Sequence, residues 1–200
     1  MMTQEPDHEQ IQAAVREKYR KVARSAEGLF KYATGREGAL ALGYDARVVA
    51  DAPCQLIESF CGVGNPFSLG DIQVGETVLD VGCGAGFDVY MASRIVGEAG
   101  QALGVDLTPE MVTVAKDNIG RLQLANAAVR PGGSEALPFD SNSIDVVLSN
   151  GTFNLSPNKR RTFEEVFRVL KQGGRLQFAD IVLKDELPSD LVGSLEAWSQ

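Results

Sequence analysis

The stretch VLDVGCGAGFDVY, residues 78–90, sets one apolar run against a glycine-rich bend and then a second apolar run. Val78 to Val81 reads as a buried strand. Gly82, Gly84 and Gly86 supply the backbone freedom for a tight turn, and the residues from Phe87 onward read as a helix. A strand, bend and helix joined this way form a ligand-binding device, because bare backbone and a helix N-terminus face one crevice at the carboxyl end of the sheet. The spacing narrows the ligand. A dinucleotide fingerprint is G-x-G-x-x-G, and its third glycine would fall at Phe87. The G-x-G-x-G found here therefore argues against a nicotinamide cofactor.

Downstream of the bend the same rhythm repeats. Residues 77–81 are a strand, 87–97 a helix ending at glycine, and 101–106 a second strand. Residues 108–120 form a helix with Thr108 as N-cap and Pro109 at the first helical position. Strands follow at 127–131 and 143–150, then a helix over 159–174 stopped by Gly173 and Gly174, a fifth strand over 175–183, and the start of a helix from residue 189. The alternation predicts an α/β fold, a Rossmann-like doubly wound parallel sheet.

Upstream, Ile11, Val15, Tyr19 and Val22 recur at helical spacing and predict an amphipathic helix over 9–27, broken by Gly28 and Gly35 and lying as a lid over the pocket. Residues 1–8 read as a disordered tail, and 30–70 as irregular apart from a short helix near 53–60 with Pro53 in its first turn. Residues 1–70 are expected to be a helical cap on the substrate side, and 71–200 the ligand-binding domain.

Composition excludes several classes. The 200 residues carry 27 acidic and 19 Lys or Arg side chains, a net charge of −8, which argues against nucleic acid as a partner. Arg16, Lys18, Arg20, Lys21 and Arg24 read as a solvated helix face. No apolar run approaches the ~20 residues of a membrane span, and the polar start is not a secretory signal. Three cysteines, Cys54, Cys61 and Cys83, read as free thiols in a reducing cytoplasm. The only histidine, His8, lies in the expected tail, so a histidine-based triad or metal site is excluded.

The charge pattern then selects a ligand. Asp106 ends the second strand about 20 residues after the glycine bend, where a carboxylate accepts ribose hydroxyls. No cation stands near it to neutralise a pyrophosphate, and Asp80 adds negative charge beside the bend. An adenosine ligand with a cationic head and no phosphate fits: S-adenosylmethionine.

At this point VLDVGCGAGFD (78–88), GVDLTPEM (104–111), ALPFDSNSIDVVLSN (136–150) and VFRVLKQGGRLQFAD (166–180) resemble the ordered motifs of class I S-adenosylmethionine-dependent methyltransferases. LGYD (42–45), CGVGNPFSLGDI (61–72), GAGFDVYMAS (84–93), SNGTFNLSPNK (149–159) and ADIVLKDELP (179–188) resemble the arsenite methyltransferases in particular. The resemblance implies that Gly82, Gly84 and Gly86 lie under the methionine and ribose. It places Asp80 at the ammonium through water, Asp106 at the ribose hydroxyls, and Leu107 and Met111 on adenine. Ser134 and Glu135 fall at the adenine edge, and Asn150 beside the methyl donor.

The resemblance also implies cysteine thiolates that hold trivalent arsenic, soft ligands for a soft centre. Cys61 matches one of them and is the expected catalytic residue. A second position is Gly151 here, a third falls just past Gln200, and an earlier one near residues 32–38 has no cysteine. Cys83 reads as a small filler in the bend. Two further strands of the family are missing, which predicts an apolar sheet edge at 175–183, in a fragment, a monomer, or a dimer joined through that edge. Three functions follow as expectations. They are methyl transfer to arsenite or another soft nucleophile, methyl transfer to carbon or oxygen of a small organic molecule, and cofactor binding without arsenite activity.

Overall fold

Apolar residues fill both faces of the central strands at 77–81, 101–106 and 144–150, and that pattern dictates a sheet covered on both sides. The computed structural model describes residues 6–184 together with Leu195 and Trp198. Its sheet comprises β1 (Thr77–Val81), β2 (Gln101–Asp106), β3 (Ala127–Pro131), β4 (Ile144–Asn150) and β5 (Leu170–Ala179). All neighbours pair in parallel, in the order β3-β2-β1-β4-β5. The order reverses between β1 and β4, and a crevice opens at their carboxyl ends.

Helices α5 (Phe87–Val96) and α6 (Pro109–Arg121) cover one face, packing Val89, Val96, Val112 and Ala115 on Val78, Ala102 and Val146. Helix α7 (Lys159–Val169) covers the other, with Val166 and Val169 on Leu79, Val81 and Val147. Residues 78 and 79 thus face opposite sides, as the strand period requires. A 3-10 turn, Phe153–Leu155, links β4 to α7.

The cap differs from the sequence expectation. Helix α1 runs His8–Val22 and ends well before Gly28. Asp7 and Gln10 form a reciprocal capping box, so His8 opens an ordered helix and does not lie in a loose tail. Residues 30–70 are more regular than their sequence suggests. They hold α2 (Gly35–Ala41), α3 (Ala46–Asp51), α4 (Cys54–Ile57) and a 3-10 turn at Pro66–Leu69. Helices this short show no periodicity; here tertiary contacts hold them. The Arg36 guanidinium donates to the carbonyls of Val49 and Ala52. Ala39, Tyr44, Val49, Leu56 and Ile57 share one buried cluster with Phe87, Tyr90 and Met91 of α5. Pro53 is the N-cap of α4 and not its first helical residue.

The α7–β5 junction also shifts. Helix α7 stops at Val169, before the glycines, because Leu170 already pairs with Ile144. Residues 171–174 bulge out, Gly173 taking φ +82°, and pairing resumes at Val146 with Arg175. The strand ends at Ala179, so residues 180–183 are not part of it. The helix expected from residue 189 lies outside the described residues except at Leu195 and Trp198, both helical. Among the described residues β5 is an edge strand.

Candidate active site

The crevice between β1 and β4 is built first by backbone. Beyond Val81 the chain turns at Gly82, φ +81°, and the N–H groups of Gly82 and Cys83 both donate to the Val105 carbonyl, at 2.8 and 3.0 Å. A Cβ on Gly82 would run into Thr152, and one on Gly84 would stand in open space 4.0 Å from Met111 Sδ. The bend therefore leaves room over Gly84 that a side chain would fill. Gly86, φ +92°, does not line the cavity. It is the N-cap of α5, and its Cα lies so near α6 that a Cβ would meet Ala115 Cβ at 3.4 Å.

Three aspartates converge on this space. Asp106 accepts N–H bonds from Gly84 at 2.9 Å and Thr108 at 2.8 Å. Burial pushes its carboxyl up, and those two bonds hold it back. Asp88, in the first turn of α5, accepts the Tyr44 hydroxyl at 2.8 Å, and burial pushes it up to about 6. Asp80 is 3% exposed and accepts no hydrogen bond from any described residue. Burial first, then the neighbouring Asp88 and Asp106, push it well above the usual carboxylate range. No Lys, Arg or His lines the cavity among the described residues. An unpartnered carboxylate among other carboxylates is costly when charged, and a cation is what offsets that cost. The wall thus fits a cationic, phosphate-free ligand such as S-adenosylmethionine and mismatches a pyrophosphate.

Helix α1 closes the space from above, with Gln12, Val15 and Tyr19 on its inner face. Beneath it, Val22 and Ala26 pack on Met111. Of the charged residues on α1, Arg20 and Lys21 pair with Glu17 on the solvent side, while Lys18 turns in over the Phe30 ring at 4.4 Å. Leu107 lies beside Gly133 in the cavity wall, its Cδ1 3.5 Å from where a Cβ there would stand.

Apart from Gly86, every residue expected at the site lines this one cavity: Cys61, Asp80, Gly82, Gly84, Asp106, Leu107, Met111, Ser134, Glu135 and Asn150. Several are already engaged with the protein. Ser134 Oγ lies 3.0 Å from Thr162 Oγ1, and Glu135 Oε1 accepts from Ser156 Oγ at 2.6 Å and the Asn158 N–H at 2.9 Å. Those bonds tie the loop after β3 to the start of α7. Cys61 packs in the apolar cluster of Val22, Ala26 and Met111, and burial pushes its thiol up to about 12. Its side of the cavity is thus the Met111 side. The side chain that faces Gly151 is Val63, whose Cγ1 and Cγ2 would lie 3.3 Å from a Cβ there. Cys83 is buried against Gly104, and Cys54 is exposed on α4. Among the described residues no cluster of His, Cys, Asp and Glu could hold a metal ion. No described helix is long and apolar enough to cross a membrane.

Tyr44, Asp88 and Thr152 were missed as site residues. Tyr44 and Asp88 stand within motifs already distinctive in the sequence, but only the fold shows that they meet.

Residues 72–200 match the methyltransferase-domain family. An arsenite methyltransferase of Halobacterium salinarum is 36% identical over 204 residues, covering 95% of this chain and 52% of that protein. A solved arsenic(III) S-adenosylmethionine methyltransferase from Chlamydomonas reinhardtii matches with a TM-score of 0.66 and 37% identity, over 72% of this chain and 51% of that one. A demethylmenaquinone methyltransferase of Oceanobacillus iheyensis is 35% identical over 106 residues, 53% of this chain and 44% of that protein. The chain spans about half the length, or less, of the curated relatives it matches. The family match covers the glycine bend, the three aspartates and the whole sheet, and the chain belongs to the class I S-adenosylmethionine-dependent methyltransferases.

Proposed function

We propose that this chain binds S-adenosylmethionine against Asp80, Gly84, Asp106, Leu107 and Met111 and presents it to a small acceptor at the Val63–Gly151 end of the cavity. The observation that carries the reading is Asp80, a buried carboxylate that, among the described residues, has no hydrogen-bond partner and stands in a wall without cations. When bound, the cofactor supplies an electrophilic methyl group. The chain's own part is to hold the cationic head at Asp80 and the ribose hydroxyls at Asp106. Gly82 and Gly84 keep the floor bare, and α1 excludes water. An acceptor that attacks with its own lone pair, such as trivalent arsenic, needs no general base, whereas a hydroxyl acceptor would need a carboxylate of the wall, since no histidine lines the cavity.

The names of its relatives point to arsenite, for which Cys61 is the matched thiol, but it lies on the Met111 side of the cavity and not at the Val63–Gly151 end. With its proton held up to a pKa of about 12, Cys61 reacts as a thiol, its S–H and an arsenic hydroxyl condensing to S–As and water. A lone thiol is a weak holder of arsenic. The carbon or oxygen of a small organic molecule is the second reading, favoured by the apolar Val63 where a facing thiol would be needed.

The test is calorimetry with S-adenosylmethionine, then mass spectrometry of products from arsenite and from an organic panel including demethylmenaquinone analogues. Asp80→Asn should weaken cofactor binding by ~1.5–3 kcal/mol, the scale of a lost charge-assisted contact. Unchanged affinity in that variant, or tight NAD binding by the parent, sinks the reading.

A further inference from the structure

Asn150 lines the cavity, yet its amide has nothing left to give a ligand. Its Oδ1 accepts the N–H groups of Val63 at 2.8 Å and Gly64 at 3.1 Å. Its Nδ2 donates to the Gly64 carbonyl at 2.9 Å and to Tyr44 Oη at 3.0 Å, with Asp88 Oδ2 3.4 Å away. The Tyr44 hydroxyl in turn donates a hydrogen bond to Asp88 Oδ1, at 2.8 Å. The oxygen faces two donors and the nitrogen three acceptors, so only one orientation of the amide satisfies the network.

The loop so held is Cys61–Asn65. A Cβ on Gly62 would collide with the Asn150 amide, and one on Gly64 with Ala179 at the end of β5. The backbone therefore lies against the sheet as closely as glycine allows. The groups come from three places far apart in the chain: the cap (Tyr44), the first turn of α5 (Asp88) and the end of β4.

We propose that Asn150 is a positioning residue: with Tyr44 and Asp88 it latches the Cys61–Asn65 loop onto the sheet end and so fixes the wall of the acceptor side, without binding the cofactor through its side chain. The proposal rests on the reading above only in assigning that wall to the acceptor. Without the latch, the N–H groups of Val63 and Gly64 lose their acceptor. The loop then opens on its own while Asp80, Asp106 and Gly84 keep their places.

The chain carries a reporter for this, because Cys61 begins the loop. In a Cys54→Ser background, which removes the exposed thiol, Asn150→Ala and Tyr44→Phe are compared with the parent. Labelled cysteines are assigned by mass spectrometry. Each variant should raise the rate at which Ellman's reagent labels Cys61 by about tenfold or more, with a like rise in amide exchange over residues 61–66, the scale of opening when such hydrogen bonds are lost. The Kd for S-adenosylhomocysteine should stay within about threefold of the parent. Asp80→Asn should do the converse: weaker ligand, loop unchanged. Tyr44→Phe keeps the ring among Phe60, Phe67 and Phe87 and removes only the hydroxyl, so it decides the matter where Asn150→Ala does not fold.

Unchanged labelling and exchange overturn the latch. So does a loss of S-adenosylhomocysteine binding as large as that of Asp80→Asn while the loop stays closed. If the parent itself fails to bind that ligand, the cofactor reading falls, and labelling and exchange still decide the latch.

Discussion

Asp80 and Asp88 make the empty protein's stability depend on pH in a direction opposite to that of most carboxylates. A paired surface acid is held below its usual range, as Glu76 is by Arg175, and contributes stability when ionised. Asp88 is pushed up to about 6, chiefly by burial, and burial also pushes Asp80 well above the usual carboxylate range. A raised carboxyl adds its full stability below its ordinary range and gives it up as pH rises through the folded value. Urea unfolding of the ligand-free protein should therefore show stability falling between about pH 4 and pH 6. Asp80→Asn should flatten the fall; stability that climbs steadily over that range in the parent would show that these acids are solvated. At this scale much was legible. Asp80 and Asp106 follow from the places of the bend and the second strand. What Glu135 and Asn150 touch did not, because a hydrogen-bond partner 23 or 86 residues away leaves no local mark.

Gly86 shows how one helix depends on its entry. It caps α5 in the left-handed region, φ +92°, and stands where a Cβ would press on Ala115 of α6 at 3.4 Å. Gly86→Ala should cost ~1–2 kcal/mol for the backbone alone, read as a lower urea midpoint, with cofactor affinity falling less than in Asp80→Asn because Gly86 does not line the cavity. An equal or greater loss of affinity would place Gly86 at the ligand after all. The elements that the sequence predicts well are those with their own signals, such as α6, which starts at Pro109 although Thr108 at its N-cap makes no side-chain cap bond, and the apolar runs β1 and β2. Those it predicts poorly depend on partners. The short cap helices α2 to α4 are held by Arg36 and by burial on α5. The junction of α7 and β5 is set by the pairing of Leu170 with Ile144, which overrides the glycines downstream.

At the scale of the molecule, the acceptor end is where the chain departs most from what its resemblance implies. Gly151 faces Val63, and Cys61 lies on the Met111 side. Restoring only one cysteine therefore creates no pair. Gly151→Cys puts a side chain at φ +73° and 3.3 Å from Val63, so it should lose ~1–2 kcal/mol and gain no arsenite affinity. Val63→Cys with Gly151→Cys removes the crowding and sets two thiols face to face. Arsenite should then bind at least about tenfold tighter than to the parent, since a second thiol in reach acts at a millimolar or higher effective concentration. Arsenite titration of the three proteins decides it: a double variant no better than the parent would refute the facing pair. The outer surface adds a further feature, the exposed rings of Phe163 on α7 and Phe178 on β5, which meet Phe153 edge-on and tilted.

The wall of Asp80, Asp88 and Asp106 also bears on what happens after the reaction. Methyl transfer from a sulfonium leaves a neutral thioether, so the spent cofactor carries one positive charge fewer than the fresh one. A wall with no cation of its own holds the charged form more tightly than the neutral one. On the proposed placement of the cofactor, these carboxylates would hold the by-product less tightly than the donor, and charge would bias the exchange of old for new forward.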